Sequence, residues 1–333
     1  MIKKARYFLE YLLTLAGAKL VQTLPLSGAQ ALGRSLGRAA FALGVARRVS
    51  FENLRVHLGV QDPTERRRIA SAAYANFGQT MVELARMPVM RPEALKAMLD
   101  FEGLAQLQAA KAEGKGIVCL SAHFGNWEWM GAALITYGFP VTFLIGTQSN
   151  PWVDKLFNEY RAKLGIQFVR IKSIKDALRV LKQGGLVAML GDQDGDKWGT
   201  FVPFFGQPAS THSIGELLAR KSGAALAYGV PVRGPDQRHH LKIHLLPPTP
   251  DSVDEAQAAA FRLAAYNALL EADVRAHPEH WLWMHHRWRS LPEHRLDGEE
   301  RQRAERGELA FDMVAQAWRD TRNQEIVTLQ TWR

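Results

Sequence analysis

The spacing of apolar residues predicts a helical N-terminal region followed by alternating strands and helices. Residues 3–23 carry apolar side chains at helical spacing, with Phe8 and Leu12 one turn apart, and this predicts an amphipathic helix. Residues 64–86 repeat the helical pattern, with Thr64 as the expected N-cap. The N-terminal part of the chain is therefore expected to be helical throughout.

From about residue 100 the pattern changes to short apolar runs separated by turn residues and helical stretches. The last helix of this part is expected over 253–276. Six short apolar strands are expected, at 117–121, 141–145, 167–171, 186–190, 224–231 and 241–246. Strands that alternate with helices at this spacing indicate an α/β fold with a mainly parallel central sheet flanked by helices.

Proline positions and charge divide the chain into three parts. Pro88 and Pro92 end the helical region, and the C-terminal stretch is highly charged with few apolar positions. We therefore expect a helical, basic region at 1–95, an α/β domain at 96–293 and a charged C-terminal helix or tail at 294–333.

The composition is that of an ordinary folded protein. Of 333 residues, 47% are hydrophobic and 23% are charged, which excludes a disordered, collagenous or coiled-coil protein. The single cysteine, Cys119, excludes an internal disulfide and cysteine-based zinc or iron–sulfur clusters. Its position in a predicted strand indicates a buried, inert thiol.

Positive charge is concentrated at the N-terminal end. The net charge is +9, and the first 60 residues contain nine basic and two acidic residues. The charge-free stretch Tyr11–Ala18 is much shorter than the ~20 residues that span a bilayer, and no suitable signal cleavage site follows it. We expect a helix lying at an anionic membrane surface. The alternative is a helical subdomain with a solvated basic face. No nucleic-acid-binding motif accompanies the charge, so no nucleic-acid partner is expected.

The candidate chemistry follows the first apolar strand. His123 follows the end of strand 117–121 by two residues, in the strand-to-helix loop where α/β sheets place their active sites. Asn126 can cap the next helix, and Glu128 falls in its first turn. We expect the chain to fold back so that the Glu128 carboxylate accepts the Nδ1–H of His123, which would make Nε2 a general base. The alternative for a bare H-x4-E pattern is a hydrogen-bonded structural histidine.

The segment around His123 resembles a known family. The stretch SAHFGNWEWMG at 121–131 is similar to the H-x4-(D/E) motif of glycerolipid-type acyltransferases, and in particular to the lipid A late acyltransferases, the lauroyl/myristoyl acyltransferase family. The resemblance covers roughly residues 5–290. Further similar segments are RRVSFENL at 47–54, GDQD at 191–194, FVPFFG at 201–206, ARKSGA at 219–224 and WLWMHHRW at 281–288.

The resemblance implies an acyltransferase whose α/β domain is catalytic. A His/acidic pair would deprotonate an acceptor hydroxyl for attack on an acyl thioester, with His123 as the base and Glu128 as its orienting partner. Arg161 would contact a phosphate or the developing oxyanion. The residues expected to bind substrate or oxyanion are Arg161, Asn126, Asp192 and Gln193.

The resemblance also implies the partners and the location. The donor would be an acyl carrier protein or acyl-CoA, and the acceptor would be a lipid A precursor at the inner membrane. The protein would lie on the cytoplasmic face, peripherally or held by one N-terminal anchor, and would need no cofactor or metal. The loop Leu144–Pro151 lacks the Arg-Pro or Lys-Pro pair common in the family, so the acceptor is less well defined than the reaction.

Three other interpretations of the same residues stay open. The acceptor could be another lipid, such as a lysophospholipid or an ornithine- or polyene-type lipid. The chain could be a non-catalytic module that binds lipid or a carrier protein. His123, Glu128 and Asp192 could instead form a metal hydrolase. A calcium loop beginning at Asp192 fails, because its sixth and twelfth positions are Lys197 and Pro203 rather than Gly and Glu.

Overall fold

The secondary structure follows the predicted order. The computed structural model describes residues 2–250, 253 and 255–290, and the described residues up to Arg289 form one compact unit. The helices are α1 (Ile2–Thr23), α2 (Leu26–Ala42), α3 (Arg47–Val56), α4 (Pro63–Arg86), α5 (Pro92–Ala97), α6 (Leu104–Ala112), α7 (Trp127–Thr136), α8 (Pro151–Lys163), α9 (Ile174–Lys182), α10 (Ile214–Ser222) and α11 (Glu255–Ala276). The strands are β1 (Leu99–Glu102), β2 (Ile117–Ser121), β3 (Val141–Ile145), β4 (Gln167–Arg170), β5 (Leu186–Leu190), β6 (Thr200–Phe204), β7 (Gln207–Thr211), β8 (Ala225–Arg233) and β9 (His239–Leu245).

Seven of these strands form one sheet, in the order β1-β9-β8-β2-β5-β3-β4. All neighbours in this sheet are parallel except β8 and β9, and β6 and β7 form a separate antiparallel hairpin. The predicted α/β class with a mainly parallel sheet is confirmed. The six predicted strands are all present, with ends displaced by at most two residues.

Strand β2 lies in the middle of the sheet and is covered on both faces. Val118 and Leu120 join one hydrophobic core, and Ile117 and Cys119 join the other. Successive side chains of a strand point to opposite faces, so a continuous apolar run fits a sheet with helices packed on both sides. Burial raises the pKa of the Cys119 thiol to about 12, which keeps it protonated and inert, as expected.

Helices α2 and α4 cross with their backbones in contact. A Cβ atom at Gly37 would lie 1.9 Å from the carbonyl oxygen of Tyr74, and one at Gly78 would lie 2.3 Å from that of Gly33. Only glycine allows this approach, because any side chain would push the helices apart. The crossing fixes α4, which in turn contacts the loop that carries His123.

The start of α4 differs from the prediction. The N-cap is Asp62, whose carboxylate accepts hydrogen bonds from the backbone N–H groups of Thr64 and Glu65. Thr64 is therefore not the cap. Pro63 occupies the first helical position, where its fixed φ suits the helix and its missing N–H costs nothing, so the helix begins before Thr64.

Strand β1 and the β6–β7 hairpin were not predicted. Strand β1 has only four residues, of which Asp100 and Glu102 are acidic, and it pairs with β9 at the edge of the sheet. The hairpin contains Pro203 and Pro208, which lie opposite each other. Proline cannot donate to a strand ladder, so it weakens the sequence signal for a strand.

The remaining sequence expectations concern the two ends of the chain. The predicted C-terminal helix or tail at 294–333 lies outside the described residues, and the division near residue 95 stays a prediction. Within residues 2–250 and 255–290, no helix combines the length and the apolar character that crossing a bilayer requires.

The close contact between α2 and α4 predicts that even one added methyl group at the crossing destabilises the protein. We expect Gly37→Ala to lower the free energy of unfolding by about 1–3 kcal/mol, because the methyl group must displace the α4 backbone. Gly17→Ala in α1 is the control, since a Cβ there meets nothing within 4 Å. It should stabilise the protein by up to about 1 kcal/mol through helix propensity. Urea unfolding measures both; equal effects at the two positions would contradict the crossing.

Candidate active site

His123 and Asp192 meet at one edge of the sheet because their strands are aligned. Strands β2 and β5 are parallel neighbours in which Ser121 lies opposite Leu190. His123 and Asp192 each follow the end of their strand by two residues. Since the carboxyl ends of parallel strands open at the same edge, the two side chains emerge side by side.

Asp192 holds the His123 imidazole through its carboxylate. One oxygen, Oδ1, lies 2.9 Å from Nδ1 of His123, while Oδ2 accepts the backbone N–H of His123 at 2.9 Å and the indole N–H of Trp281 at 2.9 Å. Burial alone would raise the pKa of Asp192, but the charge of His123 and these three hydrogen bonds hold it below its usual value. The carboxylate therefore stays ionised and fixes Nδ1.

The surroundings of His123 leave its other ring nitrogen as the reactive one. The edge of the ring packs against Trp127, with ring centroids 5.1 Å apart, and the backbone carbonyl accepts the N–H of Leu282 at 3.1 Å. The side chain is 20% exposed, whereas that of Asp192 is only 3% exposed. With Nδ1 committed to Asp192, Nε2 is the nitrogen that can take a proton from a substrate.

The turn after His123 depends on a glycine. Gly125 has φ +54°, and a Cβ there would lie 2.0 Å from the carbonyl oxygen of Pro231. Its N–H donates to the carbonyl of His280 at 2.9 Å, and its own carbonyl accepts the hydroxyl of Thr80 on α4 at 2.9 Å. The loop is therefore held from three directions before α7 begins.

Asn126 caps α7 and is fully occupied in doing so. Its Oδ1 accepts the N–H of Trp129 at 3.0 Å, which confirms the predicted N-cap. Its Nδ2 donates to the buried Glu83 carboxylate at 2.7 Å. The side chain is completely buried and positions the loop. Its expected contact with substrate stays a prediction.

Glu83 is the centre of the network beneath this loop. Both of its oxygens accept hydrogen bonds from Arg233 of β8, each at 2.7 Å, and Gln30 of α2 donates to it at 2.8 Å. Burial would raise the pKa of Glu83, but Arg233, nearby His239 and these hydrogen bonds hold it below its ordinary value. The sequence analysis did not single out Glu83, because nothing local marks a helical glutamate as buried.

Glu128 does not orient His123, so the predicted His123–Glu128 contact is wrong. Its buried carboxylate instead forms a two-pronged ion pair with Arg161 of α8, through Nη2 and through Nε at 2.9 Å. The physical reason is that α7 starts before Glu128, so helical geometry points this side chain to α8, while Asp192 already occupies Nδ1.

Arg161 is enclosed by the same contacts. Its Nη1 donates to Asn158 at 2.9 Å, and its side chain is 11% exposed. Burial would lower the pKa of Arg161, but Glu128 and, more weakly, Asp154 raise it above its ordinary value. The guanidinium is thus permanently charged and already neutralised by Glu128. Arg161 therefore joins α7 to α8, and its expected role at a phosphate or oxyanion stays a prediction.

Of the two remaining predicted cleft residues, Asp192 holds His123 and Gln193 lies next to it. Gln193 is half-buried in the loop that follows β5. Among the described residues, no hydrogen bond or ion pair links Glu128 to His123 or Asp192, so the three ligands of the alternative metal hydrolase are not assembled. The polar residues of this edge therefore favour proton transfer by His123.

The segment that follows α11 contributes residues whose roles the sequence analysis missed. Trp281 donates to Asp192, and Nε2 of His285 accepts the backbone N–H of Asp194 at 3.0 Å. Burial lowers the pKa of His285, so its ring is neutral and suited to accepting. The signal was present, since WLWMHHRW at 281–288 was noted as a motif, but its partners lie about 90 residues away.

A buried arginine lies behind the same segment. Arg287 is fully buried and donates to the carbonyl of Ser210 and to Thr211 Oγ1 on β7. Burial lowers its pKa to about 10, which leaves it cationic at neutral pH near Asp192. Burial, followed by the Arg287 charge, lowers the pKa of His212. These residues tie the hairpin to the edge that carries the site.

Comparisons with known proteins find similar acyltransferases. The family model of the bacterial lipid A biosynthesis acyltransferases matches residues 2–290. A lipid A biosynthesis lauroyltransferase of Escherichia coli (strain K12) is 27% identical over 277 residues, which cover 82% of this chain and 89% of the relative. The palmitoleoyltransferase of the same strain is 26% identical over 247 residues, 73% and 79% of the two chains. A phosphatidylinositol mannoside acyltransferase of Mycobacterium tuberculosis (strain CDC 1551 / Oshkosh) is 28% identical over 182 residues, 53% and 58%.

The buried pair predicts a stability effect for Glu128 that is separate from chemistry. We expect Glu128→Gln to lower the free energy of unfolding by about 3–5 kcal/mol, because it leaves the Arg161 guanidinium buried without a counter-charge. Replacing both residues, as in Glu128→Gln with Arg161→Met, should recover part of the loss. Urea unfolding of the variants measures the effect.

An exposed ion pair on α8, the helix that carries Arg161, provides the control. Glu159 lies 3.8 Å from Lys155 with both side chains well exposed, so Glu159→Gln should change the free energy of unfolding by about 1 kcal/mol or less. A Glu128→Gln variant as stable as Glu159→Gln would contradict the structural role of the buried pair.

Proposed function

Since the chain belongs to the bacterial lipid A biosynthesis acyltransferases, we propose that it transfers a fatty acyl chain from an acyl thioester to a hydroxyl of a lipid A precursor. The thioester would be carried by an acyl carrier protein or by coenzyme A. The observation that carries the mechanism is the His123–Asp192 pair at the carboxyl edge of the sheet.

His123 would act as a general base and then as a general acid. Nε2 removes the proton from the acceptor hydroxyl as its oxygen attacks the thioester carbonyl carbon. The tetrahedral intermediate collapses to the ester, the carbon–sulfur bond breaks, and the leaving thiolate takes the proton back from Nε2. Asp192 stabilises the imidazolium through Nδ1 between the two steps. No acyl-enzyme forms, so no nucleophilic side chain is required.

The N-terminal end of α7 is our candidate for stabilising the oxyanion. The cap uses the N–H of Trp129, and the N–H groups of Trp127 and Glu128 precede it in the same turn. Helix N-termini favour negative charge, and a donor aimed at a developing oxyanion typically lowers a barrier by ~3–4 kcal/mol. In this mechanism the Glu128–Arg161 pair acts indirectly, by fixing the position of that turn against α8.

The charge of the protein is consistent with acidic partners. A net charge of +9 suits both an acidic carrier protein and a phosphorylated glycolipid at an anionic surface. The acceptor is the least defined part of the proposal. The mycobacterial relative is named for a phosphatidylinositol mannoside, and Leu144–Pro151 departs from the family pattern, so a different glycolipid acceptor is the second candidate.

We also propose that the N-terminal helices place the enzyme on the cytoplasmic face of the inner membrane. Of the fourteen exposed large apolar side chains among the described residues, nine lie between residues 8 and 56. On α1 they are Phe8, Leu9, Leu12, Leu13 and Leu20. The basic residues of α1, such as Lys3 and Lys19, would meet anionic headgroups.

Acyl transfer by the full chain in mixed micelles tests the mechanism. His123→Ala should lower kcat by about 10²–10⁴-fold, because the base is removed, and Asp192→Asn should lower it within the same range, because Nδ1 loses its anionic partner. Acyl carrier protein and acyl-CoA are offered separately, each with a lipid A precursor, a phosphatidylinositol mannoside and a lysophospholipid.

The matched controls come from an exposed pair of the same composition. His240 lies on β9 and Asp100 on the neighbouring edge strand β1, with Nδ1 of His240 2.8 Å from Oδ1 of Asp100. His240→Ala and Asp100→Asn therefore repeat both changes outside the site. They should leave kcat within about twofold. Full transfer by folded His123→Ala would overturn the mechanism. Absence of transfer in the wild type to any acceptor would favour a binding module.

Vesicle sedimentation tests the membrane proposal. Leu9→Ser with Leu13→Ser should weaken binding to phosphatidylglycerol vesicles by about 100-fold or more, since each leucine buried in the interface contributes about 1.5–3 kcal/mol. Val89→Ser, at a similarly exposed position outside α1–α3, is the control and should bind normally. Equal binding by all three proteins, or no preference for phosphatidylglycerol over phosphatidylcholine, would contradict it.

A further inference from the structure

A short turn after α11 brings two histidines and a glutamate together. His277, Glu279 and His280 lie in the sequence His-Pro-Glu-His, where residues 278–280 form a single 3₁₀ turn. One ligand atom from each residue can be chosen so that all three lie within 4.8 Å of one another. Among residues 2–250, 253 and 255–290, this is the one group of three such side chains that converges in this way. None of the three touches substrate in the proposed mechanism.

His280 is held in an orientation that suits a metal ligand. Its ring is largely buried, and Nε2 lies 3.2 Å from the backbone carbonyl oxygen and the backbone nitrogen of Arg233. When Nε2 carries the proton, the carbonyl accepts it and Nδ1 presents a lone pair. Nδ1 is buried without a hydrogen bond of normal geometry and faces Oε1 of Glu279 at 3.3 Å. In the other tautomer Nε2 accepts the N–H of Arg233 and Nδ1–H points at Glu279. In the first tautomer a cation between Nδ1 and the carboxylate would bind both atoms.

The other two residues are ligand types that bind metals. His277 offers an imidazole nitrogen and Glu279 a carboxylate oxygen, and both atoms lie within 4.8 Å of the ligand nitrogen of His280. Both side chains are partly exposed, which gives an ion access to the turn. Two neutral imidazoles and one carboxylate, with a fourth position open to water, are a common ligand set for zinc.

We propose that His277, Glu279 and His280 bind one Zn²⁺ ion, with Nδ1 of His280 as the buried ligand. The backbone carbonyl of Arg233 then serves as the outer partner that fixes the ring, as is usual for histidines that bind metals. The site is separate from His123, and its ion takes no part in acyl transfer.

Another histidine close to two carboxylates, His240, shows why composition alone is not enough to make a metal site. His240 lies between Asp100 and Glu102, but Asp100 approaches Nδ1 at 2.8 Å and Glu102 approaches Nε2 at 3.3 Å. The two nitrogens of an imidazole point away from each other. The two carboxylates therefore cannot share one ion with the ring, and this cluster is a natural control.

An ion at this turn would brace the loop that carries His123. The carbonyl of His280 accepts the N–H of Gly125, and its ring stacks on Phe124 with centroids 5.5 Å apart. The next residue, Trp281, donates to Asp192. Fixing the turn with three metal bonds therefore also restrains both halves of the His123–Asp192 pair.

Metal binding by the tag-free full chain, stripped with EDTA and desalted, tests the proposal. Competition with a chromophoric chelator should give one Zn²⁺ per chain, and Co²⁺ should give the visible absorption of a four-coordinate site. Zn²⁺ should also raise the Tm. We expect His277→Asn with Glu279→Gln to weaken Zn²⁺ binding by about 100-fold or more and to abolish the rise in Tm. This pair of changes leaves the buried His280 ring in place, so the fold is preserved.

The control is His240→Asn, which removes an exposed histidine between two carboxylates and should bind Zn²⁺ as the wild type does. Far-UV circular dichroism of the metal-free proteins separates loss of binding from loss of folding. Absence of one-to-one binding in the wild type would overturn the proposal. It would also be overturned if folded His277→Asn with Glu279→Gln bound Zn²⁺ unchanged, or if His240→Asn lost as much affinity.

Discussion

The register between β2 and β5 is the constraint on which the site depends. These parallel neighbours place Ser121 opposite Leu190, so His123 and Asp192 leave the sheet at the same level and meet. A slip of one residue would turn the side chains of one strand to the opposite face. Because both strands are buried on both sides, such a slip would move each side chain into the packing of the opposite face, where its size and shape do not match, so the observed register is favoured.

Two buried ion pairs hold the loop that this register produces. Glu83 and Arg233 join α4 to β8 beneath Asn126, and Glu128 and Arg161 join α7 to α8 just beyond it. A buried pair contributes little net stability compared with apolar packing, but losing one partner is costly. The pairs therefore matter for position: they fix the start of α7 relative to His123. Glu128, the acidic residue of the H-x4-E pattern, therefore belongs to one of these supporting ion pairs.

Much of the fold could be predicted because its signals are local. Continuous apolar runs marked the central strands, and the N-cap at Asn126 followed from its place before a helix. His123 was identified from its position at a strand end. Asp192 was expected at the site but not as the Nδ1 partner, because it is 69 residues away and the pairing of β2 with β5 leaves no mark in either segment. Sequence reasoning favoured the nearby Glu128, whose direction is decided by where α7 begins.

The central claim is that Asp192, rather than Glu128, holds Nδ1 of His123. Nitrogen-15 NMR of the histidine rings, with His123 assigned by comparison with His123→Gln, observes this bond directly. We predict a hydrogen-bonded Nδ1–H proton of His123 at low field that persists in folded Glu128→Gln and is lost in Asp192→Asn. A proton that is lost in Glu128→Gln and kept in Asp192→Asn would contradict the account.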